Sequence, residues 1–390
     1  MAETPVVELL RQLVQIESPY FHEEKVMDFA ASWLEAHGVP VSRHRYYAKV
    51  ADFHGENLCG AIEGGREGPH IHLNGHLDTV QLCHGWTRDP YAANIEGDLL
   101  YGVGAVDMKG GAAVMMETLA RLSARKEELC GTVSYSLVSD EEGPYGLGTT
   151  FLLVDGMLGK PDGVISLEPA GTFTGASGAA IGLGARGGLS FIIKLYGKAA
   201  HAAEPDKGLS AITDAAKVVM ALDAIAPGID PKLGRGETCV VRMAGGGAAC
   251  SVADYAELEV FRHIVRGEDR ASVEEQVNAA LKNAGVRCRW EIVFREGPAP
   301  GFDGGFLPYV VDEEDGLAHR LMLAAELVWG ASPTIVYMNS IGDFNLLGGN
   351  AGIPTVMLGP GGGNYHSADE YVVLPDVEKC CDTLMKLFLK

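Results

Sequence analysis

Ile71-His72-Leu73-Asn74-Gly75 runs directly into His76-Leu77-Asp78, an alternating strand pattern that ends on residue types able to bind a metal. Three other apolar runs end the same way. Residues 132–138 lead into Ser139-Asp140-Glu141-Glu142-Gly143, and 163–167 into Glu168-Pro169. Residues 355–359 lead through Pro360-Gly361-Gly362-Gly363-Asn364-Tyr365 to His366. Helical patterns such as 111–123 alternate with these strands, which predicts a largely parallel sheet covered on both faces. In open sheets of that kind, ligands bind beyond the carboxyl ends of the strands. A fifth candidate, Asp107, stands in Tyr101-Gly102-Val103-Gly104-Ala105-Val106-Asp107-Met108-Lys109-Gly110-Gly111, just before the 111–123 helix.

The middle of the chain has a different order. Residues 189–197 read as a strand, 209–226 as a helix, and 238–244 and 255–264 as two strands. A helix over 268–283 and a strand over 287–295 follow. The order β-α-β-β-α-β is that of a ferredoxin-like α+β unit. We therefore expect one domain from 1–182 and 297–390, interrupted by a second over 183–296, with Gly-Pro-Ala-Pro-Gly at 297–301 marking the return. A length of 390 residues also exceeds one comfortable hydrophobic core. The tail, helical over 317–329 and strand-like over 355–359, rejoins the first domain.

Composition narrows the classes of function. A net charge of −21 argues against nucleic acid or an anionic membrane as a general partner. Apolar residues at 47% and charged residues at 21% describe a folded chain, and 51 glycines without a collagen-like period imply many tight turns. No apolar run approaches the roughly 20 residues that span a bilayer. The start, with its amphipathic Val6-Val7-Glu8-Leu9-Leu10-Arg11-Gln12-Leu13-Val14, lacks a signal-peptide pattern. Eight cysteines without CxxC spacing suit reduced thiols, so a cytoplasmic location is expected.

Taken singly, each polar cluster has an ordinary reading: a histidine after a strand is often a hydrogen-bonded loop residue, and an aspartate before a helix is often its N-cap. Together, two histidines and three carboxylates at one sheet edge suit Zn²⁺ or a similar divalent ion, and a carboxylate can bridge two such ions. Asp78, two residues from His76, is placed to orient the imidazole. Glu141 and Glu142 are adjacent and must point differently, so one can bind metal while the other faces substrate as a base. A dinucleotide site is excluded, because Tyr101-Gly102-Val103-Gly104-Ala105-Val106 lacks GxGxxG spacing.

Gly75-His76-Leu77-Asp78-Thr79-Val80, Gly104-Ala105-Val106-Asp107-Met108-Lys109-Gly110-Gly111, Asp140-Glu141-Glu142-Gly143, Leu167-Glu168-Pro169, Gly359-Pro360-Gly361-Gly362 and His366-Ser367-Ala368-Asp369-Glu370-Tyr371 resemble, in order and spacing, the motifs of the M20 metallopeptidases and amidohydrolases. That family includes acetylornithine deacetylase, succinyl-diaminopimelate desuccinylase, aminoacylase-1 and carboxypeptidase G2. The resemblance implies a zinc-peptidase-like mixed sheet flanked by helices, with the inserted ferredoxin-like domain as lid and dimerisation element. It implies two divalent ions, zinc first, with cobalt or manganese also suited to these donors. His76, Asp107 and Glu168 would hold one ion, and Asp107, Glu142 and His366 the other. Glu141 would be the general base and Asp78 the orienter of His76. His201, in Gly197-Lys198-Ala199-Ala200-His201-Ala202-Ala203-Glu204-Pro205, would reach a partner subunit's site in a homodimer and stabilise the oxyanion. Arg262, Gly361 and Asn364 would contact substrate.

The chain departs from the family pattern at Val103, where many members carry arginine, and in 245–254, which lacks the usual Asn and Pro. These departures leave the ligand set intact and bear on the substrate. The expected activity is hydrolysis of the amide bond of a small N-acyl amino acid. The alternatives are a dipeptidase or carboxypeptidase and, remotely, a non-catalytic binding protein on the same fold.

Overall fold

The computed structural model describes residues 4–302 and 305–389. They divide into two compact units, 1–185 with 310–390, and 186–309.

The first unit is built on a nine-stranded mixed sheet. Its strands run in the order Ser42–Ala48, Phe53–Glu63, Cys130–Val138, Arg66–His76, Gly163–Ser166, Thr355–Met357, Ala180–Ala185 and Tyr309–Val310, and Thr334–Met338 also pairs with Ala180–Ala185. The four central strands, Cys130–Val138, Arg66–His76, Gly163–Ser166 and Thr355–Met357, are mutually parallel. Register sets His76 opposite Val138, Asn74 opposite Ser166, and Ser166 opposite Met357. All four sequence-predicted strands therefore end at one edge. Gly163–Ser166 and Thr355–Met357 are buried along their whole length, as parallel strands with covered faces must be. The Ser42–Ala48/Phe53–Glu63 hairpin adds an antiparallel margin that makes the sheet mixed.

Helices cover this sheet. Pro5–Val14 starts with proline in its first turn, where no N–H is needed, and buries Val6, Val7, Leu9, Leu10, Leu13 and Val14. Gly110–Ala124 is buried along most of its length. A side chain at Gly111 would run into the Leu167 carbonyl, and one at Gly359 into the carbonyls of Leu167 and Glu168. Two glycines thus let the helix and the Thr355–Met357 strand close on the peptide that carries Glu168. No helix among the described residues is long and apolar enough to cross a membrane.

The second unit is a four-stranded antiparallel sheet in the order Glu237–Gly246, Tyr255–Ile264, Gly187–Tyr196, Arg289–Phe294, with helices Ala211–Asp223 and Arg270–Asn283. This is the β-α-β-β-α-β unit read from sequence. Its core gathers Phe191, Ile193, Leu195, Val218, Leu258, Val260, Val277 and Leu281 from both helices and the inner strands. Its limits differ from the expected 183–296. Ala180–Ala185 belongs to the first unit's sheet, where it pairs with Thr334–Met338. At the other end Phe306 pairs with Gly188, which ties the returning chain to the second unit.

Candidate metal centre

Four strand ends and one turn bring the candidates together in the first unit. His76 is the last residue of its strand and is 1% exposed. Its Nε2 lies 3.6 Å from Asp107 Oδ1, 3.8 Å from Glu141 Oε2 and 3.7 Å from Glu168 Oε1, yet among the described residues no hydrogen bond reaches that atom. His366 Nε2 lies 3.3 Å from Asp107 Oδ2 and 2.9 Å from Glu142 Oε2. Asp107 therefore faces one histidine with each oxygen. Its backbone at φ −116°, ψ 94° is not helical, and the regular helix begins only at Gly110.

The donor atoms of His76, Asp107 and Glu142 lie within 4.8 Å of one another, and so do those of His76, Glu141 and Glu168. The expected partition had Glu141 outside both sets. Here it shares the space around His76 Nε2, while His366 completes a group with Asp107 and Glu142. A buried imidazole nitrogen without a partner, an unpartnered Glu168 Oε2 and an all-imidazole-and-carboxylate donor set fit divalent ions of the zinc, cobalt or manganese kind.

His72 makes the contrast clear. It is four positions earlier, on the same face of the same strand and also buried. Both its nitrogens are engaged, Nδ1 with Ser134 Oγ at 2.9 Å and Nε2 with Ser136 Oγ at 2.9 Å. Burial and the neighbouring His70 push its pKa down to about 3. It is a satisfied core histidine.

Burial dominates the electrostatics. It pushes Glu142 up to about 7, with Asp107 adding to the effect, and carries Glu141 and Glu168 well above the carboxylate range. Burial also acts on Asp107, but His366 and His76 beside it outweigh that and hold this group at about 2. His366 is raised to about 11 by Asp107 and then Glu142. So many buried acids are tolerable only with positive charge among them.

The orienting interactions are more specific than the spacing suggested. His76 Nδ1 donates to the backbone oxygen of Asp78 at 3.0 Å, while the Asp78 carboxylate is 3.5 Å away. That carboxylate instead accepts the Glu142 N–H at 2.9 Å, so Asp78 fixes the imidazole with its main chain and the Glu141–Glu142 turn with its side chain. Glu141 Oε1 accepts the Asp343 N–H at 3.2 Å. Glu23, 3% exposed, accepts the Asp140 N–H at 3.0 Å and steadies Asp140 in its left-handed conformation at φ 57°. Sequence reasoning gave no role to Glu23 or Asp343, because their partners lie 117 and 202 residues away.

Gly361 donates its N–H to Asp376 at 3.3 Å, and Asn364, at φ 57°, donates from Nδ2 to the Asp369 carbonyl at 3.1 Å. Both shape the turn before His366. In the second unit, His201 is exposed and its Nδ1 accepts the Ala203 N–H at 3.1 Å, which in the neutral ring leaves the proton on Nε2 as a donor. Arg262 is 2% exposed and pairs with Glu268 at 2.8 Å, with Thr238 and Gln276 also bound. Alternation along Tyr255–Ile264 turns it inward, and a buried guanidinium requires that counter-charge. Arg262 is expected to contact substrate; in this structure its guanidinium is engaged by Glu268.

A histidine and carboxylate cluster at the carboxyl edge of a mixed sheet, on a chain with an inserted ferredoxin-like unit, defines a candidate dinuclear centre. Residues 72–390 match the Peptidase family M20/M25/M40, and the chain belongs to that family. It is 37% identical over 224 residues to a succinyl-diaminopimelate desuccinylase of Rhizorhabdus wittichii, a match covering 56% of this chain and 56% of that relative. The aligned part thus spans little more than half of the relative's length. Among solved structures, the aminopeptidase PepT of Bacillus cereus superposes with a TM-score of 0.78 at 22% identity, over 98% of this chain and 97% of that one. The YXEP protein of Bacillus subtilis, described as a dinuclear metal binding peptidase of the M20 family, superposes with a TM-score of 0.71 at 18% identity, over 98% and 96%. At those identities the likeness establishes the fold.

Proposed function

We propose that this chain is a two-metal hydrolase of the amide bond in small N-acyl amino acids. The observation that carries the reading is the convergence of His76, Asp107, Glu142, Glu168 and His366, with His76 Nε2 unpartnered among the described residues and a sixth group, Glu141, 3.8 Å from it. His76, Asp107 and Glu168 would hold one ion, and Asp107, Glu142 and His366 the other. When bound, such ions lower the pKa of water and polarise a carbonyl. Glu141 takes the proton of the attacking water and delivers it to the departing amine. The Asp343 N–H steers the carboxylate that does so. Asp78 holds His76 in the tautomer that leaves Nε2 free to ligate. A non-catalytic chain would be free to lose these groups, and all six are in place.

The acyl group and amine are suggested by the desuccinylase relative. The test is a turnover screen of zinc- and cobalt-loaded protein against N-succinyl-diaminopimelate, N-acetyl-ornithine, other N-acyl amino acids and dipeptides. The expected result is the highest kcat/KM on an N-acyl amino acid. Cleavage of dipeptides alone would replace the deacylase reading with a peptidase one.

We further propose a homodimer in which His201 of one subunit stabilises the oxyanion in the other. Its Nε2 donor stands on an exposed turn. Removing one such donor costs on the order of 10²–10³ in kcat. Mixing Glu141→Ala with His201→Ala under conditions that exchange subunits should restore part of the wild-type activity. Proven heterodimers without recovery would place His201 outside a shared site.

A further inference from the structure

Glu370 lies four positions beyond His366 and is 2% exposed. It accepts three backbone N–H groups, from Gly104 at 2.8 Å, Val106 at 2.9 Å and Asp107 at 3.1 Å. Its own carbonyl accepts a fourth, from Gly102 at 2.9 Å. These donors belong to the turn that precedes the Gly110–Ala124 helix, where the backbone has not yet entered regular helical geometry. The neighbouring Asp369 grips a second loop: its carboxylate accepts the Thr87 N–H at 3.0 Å, the Thr87 hydroxyl at 2.6 Å and the Arg88 N–H at 3.2 Å. One short segment thus presents His366 and, through Glu370, holds the peptide of Asp107.

We infer that Glu370 is a positioning residue for Asp107, a buried carboxylate whose bonds to three successive-turn amides fix the bridging side chain between His76 and His366. The inference rests on the two-metal reading above. A carboxylate suits the task because charged acceptors make the stronger bonds to N–H groups, and two oxygens can serve three donors at once. Glutamine would keep the shape but set an NH₂ against amides that also donate. Aspartate would keep the charge and fall short by one carbon. In either variant Asp107 is released from one registered position, and outer groups of this kind typically govern 10–100-fold in metal affinity.

The test compares wild type, Glu370→Gln and Glu370→Asp as full chains, before and after chelation. Amide hydrogen exchange over 102–107 is read in the metal-free protein. Zinc and cobalt binding is read by equilibrium titration, and kcat and KM after reloading. Glu370→Gln should keep its melting temperature within a few degrees, exchange those amides at least about tenfold faster, and bind one ion about 10–100-fold more weakly. Its kcat should fall with little change in KM, and Glu370→Asp should lie between it and wild type. Unchanged exchange and unchanged affinity for both ions would overturn the inference. So would a drop in melting temperature alone, which would make Glu370 structural. If Glu370→Gln does not fold, Glu370→Asp decides by the same readouts. Wild-type protein that binds no zinc or cobalt would instead sink the two-metal reading, and the exchange measurement would still decide whether Glu370 holds the turn.

Discussion

Glu141→Gln is expected to fold, retain its ions and lose turnover by roughly 10²–10⁴-fold, the range that general acid–base catalysis supplies. Glutamine has the shape of glutamate and can still accept the Asp343 N–H, which reaches Oε1 at 3.2 Å. It cannot take a proton. His76, Asp107, Glu142, Glu168 and His366 remain as donors, so metal content should stay near wild type. Glu141 also stands among like charges, with Glu168 and Glu142 both acting on it. Replacing one crowded carboxylate by a neutral amide should therefore hold or raise the melting temperature of the chelated protein, a cost of function that many active sites carry. The measurements are kcat, metal per chain and melting temperature on one preparation. Near-native kcat with full metal content would remove Glu141 as the base.

Asp107→Ala should be the more damaging substitution for metal binding, with fewer than one tight equivalent per chain and no measurable turnover. The reason is geometric. Asp107 Oδ1 faces His76 Nε2 at 3.6 Å and Oδ2 faces His366 Nε2 at 3.3 Å, so this one side chain belongs to both groups of donors. Glu168→Ala touches one group only and should spare an equivalent. Chelation of the wild type should reproduce the Asp107→Ala loss, and added zinc or cobalt should reverse it in the wild type alone. Two tightly bound ions in Asp107→Ala would contradict the bridging assignment and leave Glu141, 3.8 Å from His76, as the group to examine as a ligand.

Much of this protein is legible locally. The β-α-β-β-α-β order of the inserted unit follows from period-two and period-3.6 apolar patterns, each a property of ten or so neighbouring residues. The candidate ligands stand out because strands Arg66–His76, Cys130–Val138, Gly163–Ser166 and Thr355–Met357 each end shortly before a polar cluster, and parallel strands bring such ends to one edge. Unit boundaries were less exact, since Ala180–Ala185 joins one sheet rather than the other through a pairing with residues 334–338.

Partnership was beyond the sequence. His72 and His76 share a strand face, and only serines 62 and 64 positions away make the first a satisfied core group while the second keeps a bare Nε2. Arg262 reads by itself as an arginine on a strand face, and only the tertiary structure buries it against Glu268. Glu370 reads as one more acid after a histidine, yet its carboxylate meets amides 263 to 266 positions earlier. Local sequence determined which residues lie at the ends of strands, because strand and helix periodicity is set by near neighbours. Which of them are free to bind an ion, and which only hold another in place, was decided by tertiary structure, because a buried polar group must find its partner wherever the fold brings one.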